Sequence, residues 1–155
     1  MRSIAVFLVL TLTANIAFAS EYDVQCLNHK GKFSSCKVTI NDENIQIAYK
    51  DKKNQDLNVE IPGKGIKSIS AGEYARRRVG ESVAAAVILA PIFLFTLFSK
   101  KKRDHIGIEY VQDPKDKNAT TKATLIEIKK KYGMAMKTEL KAVSGKEIIE
   151  EEAKK

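Results

Sequence analysis

Cys36-Lys37-Val38-Thr39-Ile40-Asn41-Asp42-Glu43-Asn44-Ile45-Gln46-Ile47-Ala48-Tyr49 is the stretch that decides the fold. Apolar side chains fall at 36, 38 and 40, then again at 45, 47 and 49, with Lys37, Thr39 and Gln46 between them. A period of two puts each set on one face of a half-buried strand. Asn41-Asp42-Glu43-Asn44 is turn chemistry between the two runs. The pattern predicts two antiparallel strands joined by a short turn.

The same alternation continues outward. Leu57, Val59 and Ile61 form a further run beyond a turn at residues 51–55, and Pro62-Gly63-Lys64-Gly65 ends it. Ile66 to Ser70 reads as another short strand, so the period-two pattern from Cys26 to Ile69 predicts an antiparallel meander. Toward the N-terminus, Cys26 and Cys36 are equidistant from Gly31. A hairpin turning at Lys30-Gly31-Lys32 would set the two cysteines opposite each other, within disulfide reach. The rival reading is a metal site of Cys26, His29 and Cys36, which lacks a fourth ligand.

After residue 103 the strands resume. Ile106, Ile108 and Tyr110 alternate, residues 112–118 form a loop, and 121–128 reads as a strand with Ile126 and Ile128 inward. The period then lengthens. Tyr132, Met136, Leu140 and Val143 share one helical face, and Gly145 stands where a C-terminal cap is expected. Residues 149–155 form a charged tail that frays or extends as a helix.

Residues 1–19 have the form of a signal peptide: Arg2, an apolar run from Ile4 to Leu12, and Ala17-Phe18-Ala19 before a cleavage that leaves Ser20 first. An exported chain with an even pair of cysteines is expected to form a disulfide. The formal charge of +8 fits an anionic surface. Export argues against nucleic acid, and so does the lack of any nucleic-acid-binding motif.

An apolar insert at residues 79–99 interrupts the strand pattern. Its candidate membrane residues are Val83, Val87, Ile88, Leu89, Pro91, Ile92, Phe93, Leu94, Phe95, Leu97 and Phe98. The uncharged run from Ser82 to Ser99 is at the short limit of a spanning helix, and Pro91 near its midpoint would kink or break one. It could cross once, enter and return as a hairpin, or pack as a core helix. Two features favour the hairpin. Both flanks are basic: Arg76, Arg77 and Arg78 before, Lys100, Lys101, Lys102 and Arg103 after. These are candidate contacts to anionic lipid. Strand patterns also lie on both sides, and a single crossing would divide one sheet between two compartments.

Ile66-Lys67-Ser68-Ile69, the run from Gly72 to Arg78, the apolar insert, residues 99–105 with Ile108-Glu109-Tyr110, and residues 140–146 ending in Ser144-Gly145-Lys146 carry a resemblance. A meander closed by one C-terminal amphipathic helix resembles the pleckstrin-homology and GRAM-like superfold. The chain is also similar to a group of uncharacterised bacterial exported proteins of that outline, over residues 30 to 148. The resemblance implies an α+β, mainly antiparallel β domain at residues 20–148: a small barrel or bent sheet capped by the helix. It implies a binding module and no activity.

Catalytic patterns are absent from the sequence. Gly63-Lys64-Gly65 is too short for a nucleotide loop, and no nucleophile elbow occurs. His105 is expected at the surface or facing lipid, and Glu81 is expected to pair with Arg77 or Arg78. A pocket gathering Glu81, His105 and Tyr110 would instead favour an enzyme. The Asn118-Ala119-Thr120 glycosylation pattern matters only in a eukaryotic host. No cofactor and no metal are expected. The reading that follows is a non-enzymatic, periplasmic or otherwise extracytoplasmic envelope protein associated with the membrane through its insert, with a protein partner or a second copy of itself as further partners. The alternative is a membrane-active or pore-forming protein that inserts residues 82–99 into target bilayers.

Overall fold

The alternating runs become strands in the computed structural model, which describes residues 19–86 and 103–150. Most of the signal sequence, the insert from Val87 through Phe98, Lys100, Lys101 and Lys102, and residues 151–155 lie outside the described residues. Val83 falls within a helix by its backbone.

Eight strands occur among the described residues. They are β1 (Ser20–Leu27), β2 (Phe33–Ile40), β3 (Asn44–Tyr49), β4 (Val59–Pro62), β5 (Ile66–Ala71), β6 (Arg103–Tyr110), β7 (Lys122–Lys129) and β8 (Ile148–Glu150). Helix α1 (Gly72–Ala86) follows β5, and helix α2 (Lys130–Ser144) follows β7. The strands form one sheet in the order β4-β3-β2-β1-β7-β6-β5-β8. All the pairs are antiparallel except β5 with β8. The expected choice between a barrel and a bent sheet resolves to an open sheet. β8 occupies the edge of β5 that a closed barrel would pair with β4.

The inner face carries the main core. Ile45, Ile47, Ile61, Ile66, Ile69, Ile106, Ile108, Ile126 and Ile128 are essentially wholly buried there. β-branched side chains pack well on a pleated surface, and each contributes about 1.5–3 kcal/mol on burial. Met136 and Leu140 of α2 close over this face. Tyr49 keeps its polar tip satisfied by donating its hydroxyl to the Leu27 carbonyl at 2.5 Å.

The predicted helix forms, and Gly145 caps it in the left-handed region at φ +64°. Its inward face differs by one position. Tyr132 is 46% exposed, and Gly133 is buried instead. A Cβ at Gly133 would come within 2.8 Å of the Asp104 carboxylate, so a larger residue there would require that side chain to shift. The tail also differs from expectation, because residues 148–150 pair with β5 as β8.

Cys26 and Cys36 form the expected disulfide, with Cα atoms 5.9 Å apart and both residues wholly buried. This excludes the rival metal site; His29 instead pairs with Asp56 at 2.8 Å. The hairpin register is two residues from the expected one: Cys26 faces Ser34, and Cys36 faces Val24. Gly31 is not the apex. It is the third residue of a three-residue loop, left-handed at φ +68°. Asn28 holds that loop through its backbone and through a side-chain oxygen that accepts from Lys30 N and Lys32 N. A type I turn followed by a left-handed residue is a common hairpin loop. The cysteines are therefore diagonal neighbours on one face. A bridge of this kind suits a chain that folds in an oxidising compartment.

Candidate functional site

The described flanks of the insert meet on the outer face of the sheet. Gly72, with φ +66°, turns the chain from β5 into α1. The helix then runs over β5, β6 and β7 with Ala75 and Val79 wholly buried. Leu27, Leu125, Phe33 and Ala123 complete this second apolar cluster. β6 is thereby buried on both faces, with Ile106, Ile108 and Tyr110 inward and His105, Gly107 and Glu109 beneath the helix side.

Charged groups surround this apolar patch. Arg78 Nε donates to Glu109 Oε1 at 2.9 Å, and Arg78 Nη1 donates to the Tyr74 hydroxyl at 3.0 Å. The Ser68 hydroxyl donates to the other Glu109 oxygen at 2.6 Å. Glu109 is thus a buried carboxylate held by charge-assisted bonds. These bonds and the adjacent charge push the Arg78 pKa upward.

A second pair lies nearer the start of β6. Arg103 Nη1 donates to Glu127 Oε1 at 2.5 Å, and His105 Nε2 lies 3.5 Å from Glu127 Oε2. Glu127 is 4% exposed. His105 is buried too, which corrects the expected surface position; its ring centroid is 6.0 Å from that of Phe33. Burial lowers the His105 pKa, Glu127 opposes that shift, and Arg76 adds to it. Arg76 is 3.7 Å from Glu73, and its own pKa is lowered chiefly by burial.

Of the basic residues read as lipid contacts, Arg76, Arg77, Arg78 and Arg103 are among the described residues. Arg76, Arg78 and Arg103 form ion pairs within the fold, and Arg77 occupies an exposed position of α1 with an interaction of its own. Asp104, one residue into β6, meets Lys137 of α2 at 3.2 Å, and Lys137 also reaches Glu150 of β8 at 2.8 Å. This network joins the point where the chain re-enters the sheet to both C-terminal elements. Glu109 and Glu127 stand in alternating runs as outward polar residues, and alternation alone does not mark them as buried carboxylates. Their tell was a charged residue at an outward position of a strand whose other side a second element would cover.

His105 and Tyr110 stand on opposite faces of β6, so they do not share a pocket, and the Glu81 side chain is outside the described residues. Among the described residues no cluster of three metal-ligating side chains occurs, and no helix is long and apolar enough to cross a membrane.

No protein-family model matches the chain, and no curated protein is detectably similar to it.

Proposed function

We propose that this chain is an exported envelope protein without catalytic activity, in which a pleckstrin-homology-like domain is tethered to a membrane by its central apolar insert. The domain would hold or recognise a protein or lipid at that surface. One observation carries the reading: β5 and β6 are neighbouring antiparallel strands, with Ala71 facing Ile106 and Ile69 facing Ile108. The chain thus leaves β5 and re-enters β6 at the same end of one sheet, with the apolar residues 87–98 in between. A single membrane crossing would separate strands that pair. A segment that enters and leaves by one face would not.

Three further features support this reading. A four-strand meander, β1 to β4, is followed by a second antiparallel group, β5 to β7, and then by the core-covering helix α2. This order supports the resemblance to the superfold, although the sheet stays open. The disulfide fits an extracytoplasmic compartment. Arg77 on α1 and Lys100-Lys101-Lys102 flank the insert, and each basic group near an anionic surface contributes about 1 kcal/mol.

The test is fractionation followed by accessibility labelling. The mature protein should sediment with membranes and be released by detergent. Glu73→Cys and Lys129→Cys place thiols at exposed positions on either side of the insert, and the native cysteines are bridged. Both thiols should react with a membrane-impermeant maleimide from the same side. Full recovery in the soluble fraction, or labelling from opposite sides, would overturn the proposal.

A further inference from the structure

The end of the sheet where the chain returns from the insert carries a surface that the fold itself leaves exposed. Arg103, the first residue of β6, faces Lys129, the last residue of β7. From Lys129 the chain passes directly into α2, and of residues 129–134 only Gly133 is buried. Tyr132, at 46%, and Met134, at 71%, are two of the three large hydrophobic side chains that stand exposed among the described residues. Lys129, Lys130 and Lys131 precede them. Helical side chains lean toward the N-terminus of their helix, so this group leans past the end of β7.

These lysines differ from those further along the same helix. Lys137 is held by Asp104 and Glu150, and Lys141 by Glu147. Among the described residues, Lys129, Lys130 and Lys131 meet no carboxylate within ion-pair distance. Lys131 Nζ lies instead 4.4 Å from the centroid of the Tyr132 ring. Lysine stems and a tyrosine ring can cover apolar surface while their polar tips stay wet, which suits a membrane interface. Position favours lipid over a protein partner. Phe98, the last apolar residue of the insert, is five residues before Arg103. Even fully extended, that connection spans no more than about 18 Å. A bilayer that holds the insert therefore lies close to the Arg103–Lys129 pair.

We propose that residues 129–134 form a second contact with the bilayer: Lys129, Lys130 and Lys131 meet anionic headgroups, and Tyr132 and Met134 enter the interface between them. The insert tethers the domain, and this surface orients it, with the β6–β7 loop at residues 111–121 directed away from the membrane. The inference rests on the membrane reading of the insert and adds to it. Each lysine near an anionic surface favours the docked orientation about fivefold, so the three together favour it about a hundredfold.

The test uses the full chain reconstituted in vesicles of phosphatidylcholine with or without phosphatidylglycerol. An environment-sensitive fluorophore is placed at Met134→Cys or, at the far end of the sheet, at Lys115→Cys; the native cysteines are bridged. In vesicles containing phosphatidylglycerol the probe at 134 should shift to the blue and resist quenching by acrylamide, whereas the probe at 115 should stay fully quenchable. Replacing Lys129, Lys130 and Lys131 with glutamine should bring quenching at 134 up to the level at 115, and high salt should act in the same direction. A chain that floats with the vesicles yet is quenched equally at 134 and 115 overturns this surface and leaves the tether standing. Protection at 134 that survives the glutamine replacements, or that appears only as protein crowds the vesicle, assigns the surface to a second copy of the chain and overturns the lipid contact. A chain that does not float with the vesicles overturns both this inference and the membrane reading beneath it.

Discussion

Gly107 of β6 lies so close beneath Val79 of α1 that a Cβ at position 107 would come within 2.7 Å of Val79 Cγ2, and within 2.7 Å of Ser70 Oγ. The helix that leads into the insert is therefore seated on the sheet through a missing side chain. Gly107→Ala should lift α1 or force Val79 off its rotamer, and overpacking of this kind costs about 1–3 kcal/mol. Urea unfolding would show a lower midpoint. An unchanged midpoint would mean that α1 is not packed as described.

Gly63 makes a comparable contact on the inner side. A Cβ there would meet the Val143 carbonyl oxygen at 2.3 Å and the Glu43 carbonyl oxygen at 3.1 Å. Backbone cannot swing aside as a side-chain tip can. Gly63→Ala should therefore cost more than the roughly 1 kcal/mol expected of Gly145→Ala, where the left-handed backbone is the only obstacle. Equal midpoints for the two variants would contradict the packing of α2 against that turn.

The disulfide has a different basis. It closes a short loop, at a sequence separation of 10, and on the chain-entropy model it removes about 3 kcal/mol of unfolded-state freedom. Replacing both cysteines with alanine should lower stability by about that amount, with a further loss from the smaller buried side chains. Comparison of the double variant with wild type, by urea denaturation without reductant, reads the effect directly.

Much of this fold is written locally, and the exceptions have physical causes. The strands around Val38, Ile47 and Ile108 follow from alternation alone. β1 carries the same signal at Tyr22, Val24 and Cys26, so the meander begins upstream of Cys26. α1 is harder to read, because Ala75 and Val79 are a two-residue apolar stripe inside a charged run. Their burial depends on Gly107, which lies 28 residues beyond Val79 across the insert. The cysteine register turned on which loop position takes the left-handed residue, a choice made by Asn28 rather than by symmetry about Gly31. β8 has only three residues, and its parallel partner is remote in sequence, so nothing local announces it. At the candidate site the arginines were legible as charge, whereas their carboxylate partners come from strands that only the sheet brings beneath α1.

Glu127 is the carboxylate most deeply committed to that network. Glu127→Gln should remove the charge from the bond to Arg103, and hydrogen bonds to charged groups are worth about 1.5–3 kcal/mol. Arg103 is 25% exposed, so water recovers part of the loss and the cost should fall in the lower half of that range. Arg103→Lys should restore little, since a lysine cannot present the guanidinium geometry. A double-mutant cycle at the two positions would measure the coupling, and a coupling near zero would refute it.

His105 gives the network a dependence on pH whose sign follows from its burial. Glu127, Asp104 and Arg76 face or act on the ring, Phe33 packs beside it, and burial is the largest influence, so the folded pKa lies below the ordinary value of about 6.5. Between the folded and unfolded pKa values the unfolded chain binds more protons at this position. The contribution of His105 is therefore fully present above about pH 6.5 and is lost as the pH falls toward the folded pKa, with a slope of at most about 1.4 kcal/mol per pH unit. Urea midpoints should fall between pH 7 and pH 5 in the wild type, and His105→Gln should remove that part of the slope. If the variant loses stability on acidification as steeply as the wild type does, another group is responsible.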